Sequence, residues 1–317
     1  MDTPDLHDQP ALLTSQDSLA HWLQAMSGGN HWNKPTDRPS LDDWLAQGDD
    51  VDPAHHRRAR ELGVPLARLA GLEPEAAATG PTGRGKSTTL YAMLLELRKQ
   101  RINILTVEDP VEFYIDDIQQ MQVNRAAGFT FANAMRNFLR HDPDVIMVGE
   151  IRDRETADIA VESALTGHLL LSTLHTNTAA TTVTRQLDLG VEAYLLRASL
   201  LAVMSQRLVR LTCPHCREVE PVDEHIRGTL GVGLDEVFYI GRGCSRCEGL
   251  GVYKRRAVYE FMVVSPRIQS LIVPGAEADS IHRVAIEEGM VPITQAAVAL
   301  ARQGLISLSE AWRVRAD

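Results

Sequence analysis

Gly80-Pro81-Thr82-Gly83-Arg84-Gly85-Lys86-Ser87, running on into Thr88-Thr89-Leu90-Tyr91-Ala92-Met93-Leu94, decides the fold. The first eight residues fit the P-loop pattern G-x-x-x-x-G-K-[ST] in full, and Ser87 to Gln100 carries apolar residues at helical spacing. The glycines let backbone N–H groups turn inward around phosphate oxygens. Lys86 brings positive charge to the β- and γ-phosphates, and the Ser87 hydroxyl completes Mg²⁺ coordination. The N-terminus of the following helix adds its dipole. The residues expected to cradle a nucleotide are therefore Gly80, Pro81, Thr82, Gly83, Arg84, Gly85, Lys86, Ser87 and Thr88.

Downstream, strands and helices alternate. Ile102 to Val107 reads as a strand, Phe131 to Leu139 as a helix and Val145 to Val148 as a buried strand. Glu155 to Leu165 reads as a helix, Leu169 to Ser172 as a strand and Thr178 to Leu189 as a helix. That alternation implies an α/β fold with a mainly parallel sheet and helices on both faces. Leu211 to Arg256 has no clear periodicity, and Ser265 to Asp317 reads as helical. Upstream lies a conflict. A P-loop follows a buried parallel strand, yet Leu72-Glu73-Pro74-Glu75-Ala76-Ala77-Ala78-Thr79 precedes this one. Proline and two glutamates do not belong in a central strand, so the expectation is that the strand is missing.

Asp144-Val145-Ile146-Met147-Val148-Gly149-Glu150 is an apolar strand that ends in an acid. At the carboxyl edge of a sheet, Glu150 is placed to polarise an attacking water; the alternative is an ordinary surface glutamate. Glu108, Asp109 and Glu112 follow Ile102 to Val107 and either gather near a metal-nucleotide site or lie on a solvated loop. His168 and His175 bracket the strand Leu169 to Ser172. Arg136 and Arg140 share a helix face and either reach a phosphate across a subunit boundary or pair with acids.

Cys213-x-x-Cys216 and Cys244-x-x-Cys247 are the only cysteines, and residues 217–243 separate the pairs. Two C-x-x-C pairs suit a closed, structural, tetrahedral Zn²⁺ site. Gly241, Gly243, Gly249 and Gly251 allow the tight turns around the second pair. The 317-residue chain has a formal net charge of -10, which argues against long-range steering towards nucleic acid. No apolar run approaches the roughly 18–20 residues of a membrane span, and the N-terminus lacks the marks of a signal peptide. The reading is a cytoplasmic protein, held at any membrane by a partner.

Residues from about Thr79 to Arg315 resemble the secretion ATPases of type II secretion and type IV pilus assembly. The resemblance rests on GPTGRGKSTTLYAML, on TVEDPVE, on LRHDPDVIMVGEIRDRETADIAVESALTGHLLLSTLHTN, and on QRLVRLTCPHC with the later CSRCEGLGVYKRRAVYEFM. It implies a RecA-like P-loop NTPase fold that binds ATP and Mg²⁺. Gly80 to Ser87 would be the Walker A loop, and Glu150 the Walker B acid. Glu108, Asp109 and Glu112 would form the Asp box, and His168 and His175 the His box. Lys86, Glu108, Glu150 and His175 are thereby the candidate catalytic residues. The four cysteines match a zinc-binding insertion found in the assembly and secretion branch. The family also implies a homo-hexameric ring, peripheral at the inner membrane, that works on inner-membrane platform and docking proteins.

The first 75 residues hold Trp22, Trp32 and Trp44 and read as a small segment of short helices, at Ser18 to Met26, from Ser40, and at Asp52 to Leu62. ARELGVPLARLAGLEPE resembles the end of the family's first N-terminal docking domain. The expected organisation is 1–75 as docking segment, with Ala70 to Ala77 as linker, and 76–317 as ATPase domain. The ATPase domain includes the insertion at 211–256 and a helical part at 265–317. Between these units the family carries a further domain of roughly 100–150 residues. Its apparent loss would include the strand before the P-loop. This leaves two other readings open: a degenerate relative that does not hydrolyse ATP, and a zinc-ribbon nucleic-acid-binding ATPase.

Overall fold

The computed structural model describes residues 85–315 and the backbone of residues 75–79. The helices expected before residue 75 and the loop residues 80–84 lie outside the described residues. A seven-stranded sheet organises the rest. Its strands are β1 (Glu75–Thr79), β2 (Ile104–Glu108), β3 (Gln119–Gln122), β4 (Val145–Val148), β5 (Leu169–Leu174), β6 (Leu200–Thr212) and β9 (Val252–Val263). They lie in the order β3-β2-β4-β5-β1-β6-β9. Every neighbouring pair is parallel except β6 with β9. The short strands β7 (Arg217–Val219) and β8 (Tyr239–Gly241) form a separate antiparallel ribbon.

β2, β4 and β5 are buried along their whole length, which is why they read as unbroken apolar runs. Alternate residues serve opposite faces. Leu105, Val107, Ile146 and Leu170 pack beneath α2 (Phe131–Phe138), α3 (Arg154–Leu165) and α4 (Ala179–Asp188). Ile104, Val145, Met147 and Leu171 face α1 (Lys86–Arg98). α1 is buried on nearly every side, as a helix without a polar face must be.

The expectation that no strand precedes the P-loop is corrected. β1 pairs in parallel with β5 on one side and β6 on the other, with Thr79 opposite both Leu174 and Ser205. Glu73 and Pro74 fall before the strand, so proline's missing N–H takes nothing from the ladder. What remains is one glutamate at the strand's first position, three alanines and a threonine. Two flanking strands satisfy the backbone groups whatever the side chains, and this context overrides alanine's weak strand preference. Residues 75–77 of the expected linker therefore belong to the sheet.

The stretch without clear periodicity also contains ordered structure. β6 continues to Thr212 and β9 begins at Val252, so both ends of the insertion are strands of the main sheet. Between them lie β7, α6 (Glu224–Leu230) and β8. After α5 (Ala193–Ser199), which leads into β6, the remaining helices all follow β9. They are α7 (Pro266–Leu271), α8 (Ala278–Glu287), α9 (Ile293–Arg302) and α10 (Leu308–Arg313), as the helical reading of 265–317 implies. Buried carboxylates anchor α4, α9 and α10. Glu260 on β9 accepts the first backbone N–H of α4 from Ala179 (2.6 Å) and that of α9 from Ile293 (3.2 Å). Glu220 does the same for α10 through Leu308 and Ser309. Each carboxylate meets the positive end of a helix and satisfies donors that the helix itself leaves open.

Candidate functional site

The carboxyl ends of β1, β2, β4 and β5 share one edge of the sheet, because their parallel registers are closely in step. A cleft of about 350 Å³ opens at that edge. Gly85, Lys86, Ser87 and Thr88 come to it from the start of α1, Glu108 from the end of β2, Glu150 from the end of β4, and His175 from the end of β5. Residues separated by almost ninety positions in the chain thus line one cavity. Gly80, Pro81, Thr82, Gly83 and Arg84 lie outside the described residues.

Gly85 shows why the loop needs its last glycine. It adopts φ +80°, and a Cβ would meet the Gln206 amide nitrogen at 3.0 Å. Gln206, buried on β6, also accepts a hydrogen bond from the Thr89 hydroxyl (2.8 Å). Lys86 is buried; burial pushes its ammonium down to about 8, while the Glu150 carboxylate acts in the opposite direction. The Ser87 hydroxyl donates to Glu112 Oε1 (3.1 Å).

Glu150 is buried and held from two sides. Arg152 Nη2 lies 2.5 Å from Oε1, and His175 Nε2 lies 3.2 Å from Oε2. Glu150 is therefore part of the cleft, and the surface-glutamate alternative falls away. Glu108 is buried too, with both oxygens engaged. Oε1 accepts from Thr106 Oγ1 (2.6 Å) and Gln120 Nε2 (3.0 Å), and Oε2 accepts from the Tyr91 hydroxyl. Asp109 pairs with Arg125 (2.9 Å).

The two histidines part company, and Arg136 takes an acidic partner. His168 sits at the amino end of β5, where its Nδ1 lies 3.0 Å from the Ser163 carbonyl. It lines no part of the cleft, which leaves His175 as the histidine of the site. Arg136 pairs with Glu155 at 2.7 Å, both on the surface. Tyr91, Arg152 and Arg255 line the cleft without having been singled out from the sequence. Tyr91 was hidden in an apolar helix, Arg152 in a charged turn, and Arg255 on a strand that periodicity did not reveal.

At the far end of β6 the four cysteine sulfurs converge to within 4.8 Å of one another. Separations of 3.7 Å (Cys244–Cys247), 3.8 Å (Cys216–Cys247) and 4.0 Å (Cys213–Cys244) far exceed a disulfide bond. They match the roughly 3.8 Å edge of a tetrahedron built on Zn–S bonds of about 2.3 Å. Backbone N–H groups of Gly243, Cys244 and Gly251 point at the sulfurs at 3.2–3.3 Å, the arrangement thiolates require. Burial opposes ionisation of Cys247, but the Cys244 and Gly251 N–H groups outweigh it and bring that thiol to about 6. Burial pushes the Cys216 thiol up to about 12. The donor set therefore fits Zn²⁺.

Residues 76–313 match the family model described as "Type II/IV secretion system protein". The chain belongs to this family. It is 48% identical over 237 residues to the type IV pilus assembly ATPase PilB of Thermus thermophilus, covering 73% of this chain and 26% of that protein. It is 48% identical over 238 residues to the type II secretion system ATPase E of Vibrio cholerae, covering 74% of this chain and 47% of that one. The chain thus spans a quarter to a half of these two family members. Among solved structures, the pilus retraction motor PilT with bound ADP superposes with a TM-score of 0.60. It is 26% identical, with 90% of this chain and 69% of that chain covered. These likenesses agree with the α/β P-loop ATPase fold described above. Among the described residues no helix is long and apolar enough to cross a membrane.

Proposed function

We propose that this chain binds MgATP in the cleft at the carboxyl edge of the sheet and hydrolyses it as the motor of a type II secretion or type IV pilus assembly machine. The observation that carries the reading is the convergence of Lys86, Ser87, Glu150 and His175 on one cavity. Lys86 neutralises the β- and γ-phosphates. Ser87 and Glu112 supply hard oxygen donors, the chemistry Mg²⁺ selects, and Gly80 to Thr88 form the phosphate cradle. Mg²⁺ held there would offset the negative charge that develops during phosphoryl transfer. Glu150 orients a water in line with the γ-phosphate, and His175 and Arg152 hold its carboxylate in place. Glu108, with both oxygens engaged, supports the acidic wall of the cleft.

The four cysteines hold Zn²⁺ in a structural role. The chain works as a homo-hexamer, peripheral at the cytoplasmic side of the inner membrane, with a platform protein and a docking protein as partners. The degenerate reading drew its force from a missing strand and a missing domain; β1 supplies the strand, and turnover decides the rest. ATP turnover by the purified chain is the test, beside Lys86→Ala and Glu150→Gln. Turnover in the parent and none in either variant is the expected result. Full turnover in Lys86→Ala would sink the assignment.

A further inference from the structure

Tyr91 has the appearance of a core residue. Its ring is buried and stands edge-on to Phe113, with centroids 6.1 Å apart. The hydroxyl does something a core ring does not need. It donates to Glu108 Oε2 and accepts the backbone N–H groups of Glu112 (3.1 Å) and Phe113 (3.5 Å). A tyrosine hydroxyl has one hydrogen to give and two lone pairs, and here all three are used on the acidic segment beside the cleft.

Ser87 and Tyr91 are four residues apart on α1, so they share a helix face. That face grips Glu112 at two points: Ser87 Oγ holds its carboxylate and Tyr91 its backbone N–H. The same helix begins at the P-loop lysine. We propose that Tyr91 is a positioning residue whose hydroxyl fixes the acidic segment 108–113 relative to the P-loop, so that Glu112 faces the nucleotide-bound metal in a single geometry while Glu108 anchors the segment. Gln120 and Gln122 brace the segment from the far side, through Phe113 O (2.9 Å) and Val111 N (3.3 Å), and only Tyr91 ties its Glu112–Phe113 backbone directly to α1 among these bonds. Burial and the adjoining Glu108 carboxylate both push the Tyr91 phenol well above its ordinary pKa, so the proton stays in place across the working pH range.

The kinetic consequence rests on the ATP-hydrolysing reading; the positional one does not. Tyr91→Phe keeps the ring and removes only the hydroxyl. Amide hydrogen exchange of the nucleotide-free full chain is expected to rise about tenfold or more at Glu112 and Phe113, with α1 and β4 still protected. In steady-state assays kcat should fall about 10- to 100-fold while KM for MgATP changes less than about threefold, the mark of misplaced rather than lost groups. Unchanged exchange at Glu112 and Phe113 overturns the proposal whatever the kinetics. Faster exchange across α1 and β4 as well reduces Tyr91 to a packing residue and also overturns it. Local loosening with unchanged kcat does the same. If the parent chain neither binds nor turns over ATP, the functional reading fails, and the exchange pattern alone decides for or against Tyr91.

Discussion

The nucleotide cleft and the cysteine cluster are built in opposite ways. The cleft takes side chains from the start of α1 and from several strand ends, and sheet register with the docking of α1 brings Lys86, Glu108, Glu150 and His175 together. The cysteine cluster takes two ligands from each of two short turns, and two antiparallel pairs, β6 with β9 and β7 with β8, bring the turns face to face. The first is a convergence of distant positions; the second is local chemistry that needs one docking event. The cleft should therefore respond to single substitutions in function more than in stability. The cluster should respond in stability and metal content.

The largest effect tests that separation directly. Lys86→Ala is expected to lower ATP turnover at least about 100-fold, since it removes the charge at the phosphates, while zinc content by elemental analysis stays at one per chain. Loss of zinc in that variant would break the distinction between the two sites. Cys247→Ser is the reciprocal change. It should abolish zinc binding and lower stability by about 2–5 kcal/mol, read as a drop in Tm, with nucleotide affinity changed less than about threefold.

Gly251→Ala should cost about 2–4 kcal/mol without touching a ligand. Its Cβ would meet the Gly241 carbonyl oxygen at 2.1 Å, and its φ of +71° already disfavours a side chain. Two backbones in contact are what set the second cysteine turn against β8. A wild-type Tm would mean the turn can open without penalty.

A smaller effect comes from pH. Lys86 titrates near 8 in the nucleotide-free protein and must be protonated to meet phosphate. Affinity for MgATP should be flat below about pH 7 and weaken above pH 8, by about tenfold between pH 7 and pH 9. A flat profile through pH 9 would mean that Lys86 stays charged without a phosphate. Smallest of all is Arg136→Ala. Its partner Glu155 is as exposed as it is, so stability should change by no more than about 0.5 kcal/mol. A large loss of turnover with unchanged Tm would instead assign Arg136 to a phosphate across a subunit boundary.

Much of the site was legible because its chemistry leaves local signatures. The P-loop spacing, the apolar strand ending at Glu150 and the two C-x-x-C pairs each declare themselves within a few residues. The strand ending at Leu174 was equally plain, since burial on both faces demands an unbroken apolar run. β1 was misread for the converse reason. Its residues are small and weakly strand-forming, and only β5 and β6 on either side make it a strand. β6 and β9 were missed because their outer halves leave the main core for the cysteine cluster and lose the alternation that marks a strand. His168 looked equivalent to His175 in the chain, but six residues of strand carry one to the amino end and the other to the cleft.

The linear order of residues pointed to the reaction chemistry and to a thiolate metal site, because phosphate cradles and thiolate sites depend on short spacings that any fold must respect. Which acids line the cleft, which histidine holds Glu150 and how Tyr91 grips Glu112 were decided only by the folded sheet. Those relations link positions far apart in the chain, and parallel registry, helix docking and burial set them together.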